Sequence, residues 1–213
     1  MPEKATRSSN QDVRFIAIAL EIAAGLKRVL SRAAEIDLEA MNAKTIVARA
    51  GERAHAIRPI ADEAETLSRT IVDLVHRMSA QSMRITRGSI AEFSEEIMVS
   101  YFDRANEMGR DSQHIRSVQP ATQAARGRLA QARKAASDEA RRLSRLLGEI
   151  DHTLLAATIV TSKFRIEASL SGSAYRANFE ALVKKFEAAV ADIQKFTRES
   201  RRALATGLGG QDR

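Results

Sequence analysis

Between residues 60 and 85 the core-type residues fall at alternating intervals of four and three: Ile60, Ala64, Leu67, Ile71, Leu74, Met78, Gln81 and Ile85. Such a stripe stays on one face of a helix and fits partner helices whose axes run nearly parallel to it. The same spacing returns in Leu129, Ala132, Ala136, Glu139, Leu143, Leu146, Ile150, Thr153 and Ala157, and again in Phe179, Leu182, Phe186, Ala189, Ile193 and Phe196. A chain with three such stripes is built for side-by-side helix packing.

Composition points the same way. Aromatic residues make up 4% of the 213-residue chain, Trp is absent, and three prolines and ten glycines leave little material for the many turns of a sheet protein. Long runs of Ala, Leu, Arg, Glu and Lys favour helix, so the expected class is all-α. With no Cys there is neither a disulfide nor a thiolate metal site. The longest apolar runs, such as Phe15 to Leu20, fall far short of the roughly 20 residues of a spanning helix, and the polar start MPEKATRSSNQD does not resemble a secretory signal. The expectation is a cytoplasmic protein without a transmembrane segment.

The net charge of +7 is concentrated from Ala121 to Leu147, where seven basic residues (Arg126, Arg128, Arg133, Lys134, Arg141, Arg142, Arg145) face two acidic ones (Asp138, Glu139). No stacking aromatics are interleaved and no groove-reading motif is present, so this reads as a solvated helix face rather than a nucleic-acid site.

The stripes and breakers predict two tandem helical hairpins packed as one long antiparallel four-helix bundle or coiled coil. A flexible tail is expected over 1–9. Hairpin one covers 10–116 with its tip near 51–58, hairpin two covers 118–206 with its tip near 171–173, and a second tail covers 207–213. Helix one is expected from a cap at Ser9 or Asn10, through Ile16, Leu20, Ala23, Leu30 and Ala34, to Ala50. Gly51 stops it, and Pro59 suits the first turn of helix two, which continues through Phe93, Ile97 and Tyr101 to between Gly109 and Ser117. Pro120 opens helix three, and Ser171, Gly172 and Ser173 form the next turn. Helices of this length rise roughly 60 Å, which implies a rod, with both tips at one end. A short echo supports the tandem arrangement: Glu35-Ile36-Asp37 recurs as Glu149-Ile150-Asp151, and Thr45-Ile46-Val47 as Thr158-Ile159-Val160.

One segment carries more than architecture. The run from Asp37 to Thr70 holds Ala40, Met41, Asn42, Ala43, then Ala48, Arg49, Ala50, Gly51, Glu52, then Ile60, Ala61, Asp62, Glu63 and Leu67. In that order and without a gap it resembles the kinase-control hairpin tip of methyl-accepting chemotaxis proteins. The resemblance implies a soluble, receptor-like signalling module. Its expected partners are the chemotaxis histidine kinase and its coupling protein, or other receptor-like bundles, including a homodimer. Carried over residue by residue, it places Asn42, Arg49, Glu52, His55, Ile57, Asp62 and Glu63 at the partner contact. Three departures stand out. Ile46 replaces a glutamate of the receptor-to-receptor contact, Ala54, His55, Ala56 and Ile57 replace the Gly-Arg-Gly-Phe turn, and Pro59 replaces a valine. These remove a charge from the contact face and narrow the backbone choices of the turn. The stretch Glu95, Glu96 and Ser100 resembles the paired glutamates that receptors methylate.

Chemistry beyond contact is sparse. His55, His76, His114 and His152 lack metal-ligand spacing, and no phosphate loop or nucleophile elbow is present, so no enzyme, metal, cofactor or small-molecule ligand is expected. Two alternatives stand beside the receptor reading: a structural or scaffolding bundle derived from a receptor hairpin, and phosphotransfer through His152. The run HTLLAAT puts Leu155 and Ala156 where a phosphotransfer domain has lysine and glycine.

Overall fold

The structure, a computed structural model, describes residues 3–51, 57–112, 115–170 and 173–208. Four helices carry nearly all of them: α1 (Glu3–Ala50), α2 (Arg58–Met108), α3 (Gln119–Leu170) and α4 (Ser173–Leu208), with a 3-10 turn at Ile115–Ser117. No strand occurs among the described residues, as the composition requires. Nor is any described helix long and apolar enough to cross a membrane.

The helix ends follow local chemistry. Gly51, just past the last residue of α1, has φ +58°, a left-handed conformation that glycine adopts without a Cβ penalty. The Ile57 carbonyl accepts the Ala61 N–H at 3.0 Å, and Pro59 sits inside the first turn of α2, where its missing N–H costs nothing. The outer ends shift from expectation. α1 begins at Glu3, ahead of the expected caps Ser9 and Asn10, α2 stops at Met108 before Gly109, and α4 runs on to Leu208.

The chain divides into two compact units, one drawn from Ala23–Ser79 and Arg145–Arg202, the other from Met1–Ile22, Ala80–Ser144 and Ala203–Arg213. The first is a four-helix unit in which each helix runs antiparallel to its neighbours. Ser68 donates to Asp37 and Lys44 pairs with Asp62 between α1 and α2, while Lys163 with Glu63 and Arg77 with Glu149 tie α2 to α3. Arg165 with Glu187 and Arg201 with Asp151 tie α3 to α4, and Lys185 with Glu39 and Arg32 with Asp192 close the ring from α4 to α1. The core holds Phe164, Phe179, Phe186, Ile36, Ile71, Met78, Leu147, Ile150 and Leu154, all essentially without solvent contact.

Most of the stripes of α2, α3 and α4 fall where their spacing put them within this unit: Ile60, Ala64, Ile71, Leu74 and Met78 are buried, as are Leu146, Ile150, Ala157, Phe179, Leu182, Phe186, Ala189 and Ile193, whereas Leu67, Thr153 and Phe196 are only half-buried. Helix α1 differs. Its buried line is Ile22, Leu26, Val29, Ala33, Ile36, Ala40, Ala43 and Val47, whereas Leu20 is 53% exposed and Ala34 also faces solvent. The helix carries apolar residues on two faces, and only the line with unbroken four-three spacing meets the core. The sequence echo has a structural counterpart: Ile36 and Ile150 are both fully buried, and Asp37 and Asp151 each bond to the next helix.

The second unit contains a hairpin of α2 and α3, joined through residues 109–118. Gln81 donates to the Glu139 carbonyl at 2.8 Å, Arg133 meets Glu92 at 3.1 Å, and Asn106 donates to Thr122 at 2.9 Å. The helices run close together at Gly88, where an added Cβ would come within 3.8 Å of Ala136. Along α2 the buried residues here are Gln81, Ser82, Ile85, Ser89 and Glu92, while Ile97 and Tyr101, through which the helix was expected to run, are 40% and 66% exposed. Beyond Glu92 no described residue of α2 is buried.

Candidate partner-binding site

The segment that resembles a receptor tip forms the α1–α2 end of the four-helix unit. Ala40, Ala43, Ala61 and Ala64 are fully buried there, so side chains of a single carbon line the core between the two helices. Lys44 on α1 clamps α2, its Nζ lying 2.8 Å from Asp62 and bonded also to Glu65. These bonds hold the Lys44 ammonium above its ordinary pKa, Asp62 contributing most. The Lys44 hydrogen bond is in turn the main cause that keeps the Glu65 carboxyl below its ordinary value.

The residues expected at the contact separate into three groups. Asn42 and Arg49 are exposed on α1, and Arg49 lies in its last turn, where a cation complements the helix dipole. Asn42 donates to Glu39 at 3.3 Å, and that buried carboxylate also receives Lys185 of α4 at 2.9 Å. Asp62 and Glu63 are exposed but engaged, Asp62 with Lys44 and Glu63 with Lys163 of α3 at 2.7 Å. Ile57 is 2% exposed and belongs to the core at the start of α2, which corrects its assignment to a partner surface. A branched apolar side chain at that position gains more from burial than from solvent contact. Glu52 and His55 lie outside the described residues.

Two residues absent from the expected set join Asn42 and Arg49. Leu38 and Met41 are each 56% exposed, on the side of α1 opposite its buried line. Their signal in the sequence is their position between the members of the Ile36, Ala40, Ala43 seam. Together these four give α1 an outer face of apolar, amide and guanidinium groups, suited to a protein partner.

Glu95 and Glu96 do not form an open acidic pair. Arg128 reaches both oxygens of Glu95 at 3.1 and 3.0 Å, and Arg133 bonds one oxygen of Glu96 at 3.3 Å, leaving both carboxylates half-buried between α2 and α3. Both carboxylates are thus engaged by arginines of α3. His76 and His152 are exposed, His114 lies outside the described residues, and no group of potential metal ligands forms among the described residues. A groove of about 510 Å³ between α1 and α4 is lined by Arg28, Arg32, Glu35, Asp192, Lys195 and Glu199. Arg32 already bridges Glu35 and Asp192 across it.

Compared with family models, curated proteins and solved structures, the chain matches none.

Proposed function

We propose that this chain is a receptor-like helical signalling module that contacts a chemosensory partner, the chemotaxis histidine kinase or its coupling protein, through the α1–α2 end. The observation carrying this reading is that the segment with the receptor-tip pattern is an antiparallel helix pair in which Ala40, Ala43, Ala61 and Ala64 are buried while Asn42 and Arg49 face solvent. Contact is made by Asn42, Arg49, Leu38 and Met41, with Glu52 and His55 joining by resemblance alone. Signals pass as small shifts in helix packing, which single-carbon side chains resist weakly because each buries little area.

Capture of the kinase or coupling protein by the immobilised chain tests this. Arg49→Ala, Asn42→Ala and Met41→Ser each weaken capture without changing helicity, whereas capture indifferent to all three defeats the assignment. A second reading, a scaffold that no longer controls a kinase, draws on Leu155, Ile159, Ile166 and Leu170, which are 53–73% exposed along the outer face of α3. It predicts assembly lost in Ile159→Glu and indifferent to Arg49→Ala.

A further inference from the structure

In the hairpin unit α2 buries mostly polar residues. Its core-facing side carries Gln81, Ser82, Ser89 and Glu92 beside one large apolar residue, Ile85, all buried, while its outer side carries Met83, Ile90, Ile97, Met98, Tyr101 and Met108, which are 40–81% exposed. Polar residues within and apolar residues without are the reverse of what burial alone selects. The outer residues form one line along the helix: Met83, Ile90, Ile97 and Tyr101 are separated by seven, seven and four, and Met108 follows after another seven, with Arg87, Ser94 and Arg104 at the positions between. That is a seam for a helix, about 38 Å long. The uncovered area of the six side chains is on the order of 600 Å², against about 800 Å² per partner for a standard interface. Methionines, which adapt to irregular surfaces, supply three of the six.

The seam's charges select its occupant. Arg84, Arg87 and Arg104 stand exposed within or beside it and enter no ion pair among the described residues, whereas Arg126, Arg128 and Arg133 of α3 are all matched. We infer that this face of α2 docks an amphipathic helix of another protein whose apolar seam is flanked by carboxylates. A second copy fits less well. The antiparallel pairing that sets Met83 against Met108 and Ile90 against Tyr101 also sets Arg87 against Arg104. A lipid surface calls for a wide apolar face, and here Arg87 and Ser94 interrupt a narrow one. The inference does not rest on the reading of the α1–α2 end.

The test uses the full chain and two synthetic helices of about 25 residues, with leucine at the seam positions and either glutamate or lysine at the flanks. Binding is followed by fluorescence anisotropy. The glutamate helix binds, and the lysine helix binds at least about tenfold more weakly. Ile97→Glu, at a solvent-facing position, abolishes binding with helicity unchanged, and Arg87→Glu weakens it about tenfold. Ala135→Glu, at an exposed position of α3, leaves it unchanged. Equal binding of both helices, or of neither, overturns the inference. So does an Ile97-dependent self-association in sedimentation, which assigns the seam to a second copy, or Ile97-dependent capture by phosphatidylglycerol vesicles, which assigns it to a membrane.

Discussion

The four-helix unit and the hairpin unit share α2 and α3 but bury different chemistry. The first packs Phe164, Phe179 and Phe186 with Ile36, Ile71, Met78, Ile150 and Leu154, and its buried polar residues Ser68 and Thr161 donate hydrogen bonds. The second buries Ile85, Leu129, Ala136, Ala140 and Leu143 together with Gln81, Ser89 and Glu92, and the Ser89 hydroxyl finds no partner among the described residues. Burial energy scales with apolar area, so one pair of helices is firmly held in one stretch and loosely in the other. A helix passing from a firm unit into a loose one is suited to fix a contact surface in the first and admit a partner in the second.

Truncation in the two cores is the strongest way to break that contrast. Phe186→Ala should cost about 3–5 kcal/mol, while Ile85→Ala should cost only about 2 kcal/mol because a thin core relaxes into the space left behind. Urea titrations of both variants measure this, and equal losses would mean the hairpin unit is as tightly packed as the four-helix unit. Next in size is Gly25→Ala. A Cβ there would lie 2.2 Å from Phe196 Cε2, so the ring must move, and overpacking of this kind costs about 1–3 kcal/mol. A thermal melt with no loss would show that the α1–α4 approach has slack.

Smaller, and opposite in sign, is Ser89→Ala. Ser89 is 2% exposed and its hydroxyl is unpartnered, so removing it should raise stability by about 1 kcal/mol. Hydrogen exchange should place the gain in the hairpin unit. A loss instead would show that the hydroxyl is satisfied by water and that the loose core is better matched than its residues indicate.

Much of this was legible in the sequence, for identifiable reasons. In α4 the apolar residues lie on one face, so Phe179, Leu182, Phe186 and Ile193 were placed in the core by spacing alone. In α1 they lie on two: of the residues that mark the helix in the sequence, Leu20 and Ala34 face solvent, and the buried line runs instead through Leu26, Val29 and Ile36. In the outer part of α2, Ile97 and Tyr101 mark the helix as expected but face away from a buried line that includes Ser89 and Glu92. Rhythm reports that an apolar face exists, not which partner covers it. At the α1–α2 end, the resemblance implied solvent-facing Asn42 and Arg49, and both are exposed. The pairing of Glu63 with Lys163, a hundred residues away, depends on a helix that the local segment does not contain.

The smallest effect separates the two units by sign. Burial holds the Glu92 carboxyl above its ordinary value, with Arg133 pulling it down and Glu96 pushing it up, whereas Lys44 holds the Glu65 carboxyl below its ordinary value. A raised carboxyl binds its proton more tightly in the folded state, so its contribution is present below the ordinary carboxylate range and is lost as pH rises through the folded pKa. A depressed carboxyl behaves oppositely: its contribution is present above that range and is lost as pH falls through the folded pKa. Replacing each by glutamine therefore gives opposite outcomes near neutrality. Glu92→Gln should raise the urea midpoint and Glu65→Gln should lower it, and both differences should shrink as pH drops through about 4. If both variants shift the midpoint in the same direction, the Arg133 pair outweighs burial at Glu92. The hairpin unit would then owe its cohesion to the ion pairs across α2 and α3 rather than to its small apolar core.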